Sequence, residues 1–113
     1  MTTQDVLNLT FLRRLTSGNC ELERTLFELY HATASNCLRR IKMGDADITS
    51  KDWLEAIHML KGASANIGAN EMLKLCTEAE LLEEEDNTQR PDYVTRIEEA
   101  YARLSEAIRT LHQ

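Results

Sequence analysis

Three residues near the middle of the chain combine types and spacing suited to phosphoryl chemistry: His58, Lys61 and Gly62, within the run His58-Met59-Leu60-Lys61-Gly62-Ala63-Ser64. A neutral imidazole nitrogen near pH 7 is a competent nucleophile toward a phosphoryl group, and the P–N bond it forms is reactive enough to give the group back. On an α-helix, residues three and four apart are surface neighbours, so Lys61 and Gly62 both flank His58 one turn further on. Lys61 can place a point cation beside an anion on the ring. Gly62 leaves the ring open. Glycine inside a helix costs roughly 1 kcal/mol relative to alanine, so its presence beside the histidine indicates that something large must come close.

The elements that hold these residues are predicted to be helical throughout. One proline and four glycines in 113 residues, with apolar positions recurring every three or four, predict helices and no strand. A short first helix is expected over about 4–16, opened by Thr2 with Asp5 in capping-box order, and Gly18-Asn19 ends it and caps the next. The second, about 20–43, carries Leu22, Leu26, Leu29, Thr33, Cys37 and Ile41 on one stripe and stops at Gly44, with a turn from Gly44 through Ile48. The third starts at the cap candidates Thr49 and Ser50 and runs to about Ile67, with Gly68 suited to the left-handed residue that closes a helix. The fourth, about 69–86, buries Met72, Leu75, Cys76, Ala79 and Leu82. The fifth begins at Pro91 and repeats Val94, Ile97, Tyr101, Leu104, Ile108 and Leu111. Four long amphipathic helices with short connections give an all-α, antiparallel up-down four-helix bundle, with the additional short N-terminal helix laid across one end.

At roughly 100° per residue, Trp53, Ala56, Ile57, Leu60, Ala63, Ser64 and Ile67 form the core side of the third helix, and His58 falls nearly opposite them. Around His58 lie Lys51, Leu54, Glu55, Lys61, Gly62 and Ala65. A solvated face is normally dense in long charged residues. Here Leu54, Gly62 and Ala65 make a small smooth docking patch with a basic edge.

Composition narrows the function classes. The formal charge of −6 argues against non-specific nucleic-acid binding, which depends on neutralising phosphates, and 5% aromatic residues leave few platforms for stacking bases. No apolar run reaches the length of a membrane span and the N-terminus lacks the order of a signal peptide, so a single domain over residues 1–113, soluble and cytoplasmic, is expected. Cys20, Cys37 and Cys76 are odd in number and lack metal-finger spacing, which predicts reduced thiols buried as small hydrophobes. His31 and His112 have no Lys or Gly at helical-neighbour spacing and read as ordinary surface histidines. The acidic run from Glu83 to Asp86 reads as a solvated, fraying helix end. Ser64, on the core side, is expected to bond back to the helix backbone and to aid close packing. Arg39 and Arg40 fit either the edge of a partner surface or a plain charged face.

The stretch resembles the histidine-containing phosphotransfer (HPt) domains of two-component phosphorelays. The pattern is His-x-Leu-Lys-Gly-x-Ser, a Gly ten residues after the His, then a hydrophobic-Cys pair and a Glu on the next helix: His58, Leu60, Lys61, Gly62, Ser64, Gly68, Leu75-Cys76 and Glu80. Met72 stands where family members often have Leu, and Ala79 where a larger aliphatic is common before the Glu; both departures bear on packing and not on chemistry. The resemblance implies that His58 accepts a phosphoryl group from the phospho-aspartate of a receiver domain and passes it to another receiver, with Lys61 stabilising the phosphate. It implies response-regulator receivers and a hybrid sensor histidine kinase as partners, a phosphocarrier without a kinase domain of its own, and Mg²⁺ supplied by the receiver rather than by a cofactor site here. Two rivals stand beside this reading. A helical adaptor would keep the docking patch and sequester a receiver-like partner without phosphorylation; a metal-dependent hydrolase would need a His-Glu-x-x-His or paired carboxylates that the sequence lacks around His58.

Overall fold

The computed structural model describes residues 3–43, 50–82 and 87–111. Among them, the chain forms α1 (Thr3–Val6), α2 (Leu9–Thr16), α3 (Cys20–Met43), α4 (Ser50–Ile67), α5 (Asn70–Glu80) and α6 (Arg90–Leu111), with a 3-10 turn over Asn87–Gln89 and no strand. The expected cap at Thr2, the turn from Gly44 to Ile48, the acidic run from Glu83 to Asp86 and His112 lie outside the described residues.

α3, α4, α5 and α6 close a ring in which sequence neighbours pack side by side and α3 meets α6. The neighbours run antiparallel, as residue numbers rise on one helix and fall on the next: Tyr30 meets Ser64 and Arg40 meets Glu55 between α3 and α4, while His31 meets Tyr101 and Lys42 meets Glu98 between α3 and α6. The bundle core is a continuous column that includes Phe27, Tyr30, Cys37, Ile41, Trp53, Ile57, Leu60, Met72, Cys76, Ile97 and Leu104. Arg90, itself buried, stacks its guanidinium 5.2 Å from the Trp53 ring centroid and ties the start of α6 to α4 across the bundle.

Three expectations about the N-terminal half, and one about the end of α5, need correction. The first helix is not continuous over 4–16: it breaks at Leu7-Asn8 into α1 and α2. Asn8 starts a new helix by accepting the Phe11 amide on its side chain at 3.1 Å, and its own amide is drawn away to the Gly68 carbonyl at 2.8 Å. As a result α1 packs on α5 and α6 while α2 packs on α3. The core stripe of α3 matches the expected one at Cys37 and Ile41 and is turned from it over the first half of the helix, where Leu26 and Thr33 are only half-buried. Glu23, Phe27, Tyr30, Ala34, Cys37 and Ile41 face inward, and Leu22 and Leu29 are exposed. Glu23 is a buried carboxylate, with the Thr16 hydroxyl donating to it at 2.9 Å and Arg13 beside it at 3.1 Å, a paired arrangement that makes the burial tolerable. Cys20 is exposed at the start of α3, unlike the buried Cys37 and Cys76. α5 ends at Glu80, with Leu81 as its cap, short of the expected residue 86.

The α4–α5 junction sets where α5 lies against α4. Gly68 has φ +75°, the left-handed conformation expected of it, and hands its carbonyl to Asn8. A Cβ there would stand 3.0 Å from the Phe11 ring and 3.3 Å from the Asn8 backbone oxygen. Gly68→Ala is therefore expected to cost about 2 kcal/mol, backbone strain and crowding together, and to lower Tm by roughly 8 °C in thermal unfolding followed by circular dichroism. An unchanged Tm would show that the junction absorbs the methyl without strain.

Candidate functional site

His58 stands on the outward face of α4 with its side chain 76% exposed, as the helical wheel predicts. The tight turn at Gly68-Ala69 folds α5 back antiparallel, and eleven helical residues later it delivers Glu80 alongside His58. His58 Nδ1 lies 2.9 Å from Glu80 Oε1, and Lys61 Nζ lies 2.7 Å from Glu80 Oε2. One carboxylate thus holds both the imidazole and the ammonium that the sequence placed three residues apart.

The electrostatics of Glu80 follow from its neighbours. Partial burial pushes its carboxyl up, but hydrogen bonds from Lys61 and His58 and their charges outweigh this and hold it below the ordinary carboxylate range. Because the folded value lies below the free one, this pairing stabilises the fold above the free carboxylate's range and is lost as pH falls through the depressed value. An ionised carboxylate can only accept hydrogen bonds. Nδ1 of a neutral His58 must then carry the proton, which leaves Nε2 as the ring's lone-pair nitrogen.

The other residues singled out in the sequence fall into two groups. Lys51 and Leu54 line a shallow open depression with Glu55, His58 and Glu80. Gly62 and Ala65 are exposed on the same face. Beyond the helix's own backbone, no heavy atom comes within 4 Å of where a Gly62 Cβ would stand. Ser64 and Gly68, by contrast, are structural. Ser64 is buried, and its hydroxyl meets the Tyr30 hydroxyl at 2.9 Å across the α3–α4 interface, a different partner from the backbone one expected. Arg40 reaches Glu55 at 3.8 Å, and Arg39 bonds Asn36 on its own helix. His31 is not an ordinary surface histidine. It is half-buried between α3 and α6, its Nδ1 is 2.6 Å from the Tyr101 hydroxyl, and burial lowers its pKa. Glu80 is the residue that spacing alone misses, for nothing local to His58 marks a carboxylate on another helix.

No three His, Cys, Asp or Glu side chains gather as a metal-binding group among the described residues, and no helix there is long and apolar enough to cross a membrane. Comparison with curated proteins and with solved structures gave no match. Comparison with protein families did: the Hpt domain matches residues 21–107, which takes in α3, His58, the Gly68 turn, Glu80 and most of α6. With the helical ring and the His58 face both in place, the chain belongs to the Hpt domain family.

Proposed function

We propose that this protein is a phosphocarrier in a phosphorelay, taking a phosphoryl group onto His58 Nε2 from the phospho-aspartate of one receiver domain and yielding it to the aspartate of another. Hpt domains act by histidine phosphotransfer, have no kinase activity as a family, and interact with receiver domains. The observation that carries the finer reading is the His58–Glu80–Lys61 arrangement, in which one carboxylate holds Nδ1 of an exposed imidazole and the Lys61 ammonium together.

In the transfer, the Nε2 lone pair attacks phosphorus, the P–N bond forms, and the P–O bond to the aspartyl carboxylate breaks, returning that carboxylate to the receiver. The ring gains positive charge as the bond forms, and Glu80 sits against Nδ1–H to offset it. Lys61, one helical turn from His58 and bonded to Glu80, would turn part of its charge toward the phosphoryl oxygens. The reverse sequence loads the next receiver. The Mg²⁺ and acidic pocket that such a transfer uses are assigned to the receiver, and Lys51, Leu54, Gly62 and Ala65 to the ground it covers.

The direct test is to incubate the protein with a radiolabelled phospho-receiver and follow the label. Transfer to give an acid-labile, base-stable phosphoprotein supports the carrier; binding without any label would favour the adaptor. Glu80→Gln gives a second check. The amide can offer either an oxygen or an N–H to Nδ1, so it fixes the tautomer less well. Transfer should slow about 10-fold, about 1.4 kcal/mol in the barrier. In ¹⁵N NMR the His58 ring signals should shift toward a mixed tautomer population, a change that a purely structural glutamate would not produce.

A further inference from the structure

Among the described residues, two carboxylates stand beside His58, and each already has its cation. Glu80, from α5, holds Lys61 at 2.7 Å, and Glu55, one turn before His58 on α4, meets Arg40 of α3 at 3.8 Å. Lys51 is exposed and has no ion-pair partner among the described residues, so its charge is left over. The helix itself does not account for a lysine there. Lys51 is the second residue of α4, where the positive end of the helix dipole disfavours a cation and suits an acid such as Asp52.

The open space beside the ring lies on the same side. Side chains on a helix lean toward its N-terminus, so the His58 ring covers the turn that precedes it. There Lys51, Leu54 and Glu55 line the shallow depression that His58 and Glu80 complete, and neither Lys61 nor Gly62 contributes to its lining. Nδ1 is turned to Glu80, so Nε2, across the ring, points away from that carboxylate. Lys51 and His58 are seven residues apart, nearly in line on the helix face and about 10 Å apart along its axis. A phosphorylated ring leaning back and a flexible lysine stem turned toward it share that distance between them.

Resting on the phosphotransfer reading, we infer that Lys51 holds the phosphoryl group on His58 while the carrier stands free between receivers, with the group lying in the depression on the N-terminal side of the ring. Lys61, engaged by Glu80, supplies the smaller share of charge to this resting phosphohistidine. Two cations two turns and one turn away thus divide the work, one keeping the group and the other orienting the carboxylate that fixes the ring.

The experiment loads the full chain from phosphoramidate, whose phosphoryl group passes to Nε2 as ammonia leaves. The phosphohistidine is then titrated by ³¹P NMR from about pH 5 to 9 at low ionic strength. A nearby cation favours the dianion and so lowers the pH at which the phosphoryl group takes up its proton. Lys51→Gln should therefore move that titration up by about half a pH unit, the effect of one charge roughly 5 Å away in a largely aqueous setting. Lys51→Arg should restore it, and the Tm of unphosphorylated Lys51→Gln should not fall. The double variant Lys61→Gln/Glu80→Gln, which removes both members of a bonded pair, should move the titration less than Lys51→Gln does. An unchanged titration in Lys51→Gln would overturn the inference, as would a shift that Lys51→Arg leaves in place or a larger shift in the double variant. In each of these cases His58 still carries phosphorus and the phosphotransfer reading survives. If neither phosphoramidate nor a phospho-receiver puts phosphorus on His58 of the wild-type chain, that reading itself fails, and the role of Lys51 falls with it.

Discussion

His58→Gln is expected to reduce phosphoryl labelling to background, a loss of at least about 10³-fold, with the fold intact. A primary amide has no nucleophilic nitrogen lone pair, so no P–N bond forms whatever the receiver supplies. The side chain is mostly solvent-facing, and substitutions at such positions usually shift stability by no more than about 0.5 kcal/mol. Glu80 keeps its bond to Lys61 in the variant's surroundings, so no buried charge is left without a partner. Transfer from a radiolabelled receiver and thermal unfolding, measured on the same preparation, check both halves. Retained label at another residue would refute His58 as the acceptor. Normal output in a cellular reporter, despite absent label, would instead support the adaptor that only binds.

The half of the site carried by α4 was legible in the sequence because it is local. His58, Lys61 and Gly62 sit within five consecutive residues, and a helix converts that spacing into adjacency with no knowledge of the rest of the chain. The outward direction of His58 followed from the apolar residues on the other side of the same helix, which are buried as expected apart from the half-buried Ala63.

Glu80 was not readable in this way. Its distance from His58 depends on the angle set by the Gly68 turn and on the number of α5 residues after it, both properties of packing between helices. The family resemblance supplied the residue but not its bonds to His58 Nδ1 and Lys61.

The misread stripe of α3 has a related cause. Leu22, Leu26, Leu29 and Thr33 satisfy helical periodicity as well as the true core residues do, and the inward stripe takes in Glu23, whose partners, the buried Thr16 and the exposed Arg13, come from another helix. A period identifies an apolar face; it does not say whether the partner for that face belongs to the same chain. The broken N-terminal helix repeats the point, since the carbonyl that captures the Asn8 amide is 60 residues away, at Gly68.

Gly62→Leu should move stability and function in opposite directions, which a general structural role for the glycine does not predict. With open space at the Cβ position of an exposed residue, a side chain can start outward from the helix, and exchange of glycine for a strong helix former is expected to add about 1 kcal/mol, or roughly 4 °C in Tm. The same side chain stands one turn from His58, where the receiver must bring its aspartyl phosphate into line with Nε2. A displacement of about 1 Å at the reacting atoms is enough to cost about 100-fold, or about 2.7 kcal/mol in the barrier. Transfer from a phospho-receiver should therefore fall about 100-fold while labelling by phosphoramidate, a donor small enough to pass the leucine, falls by no more than a few-fold. Full-rate transfer from the receiver would mean that the partner does not close over Gly62. A lowered Tm would mean that the glycine is kept for backbone reasons, and the link between its missing side chain and partner access would be lost.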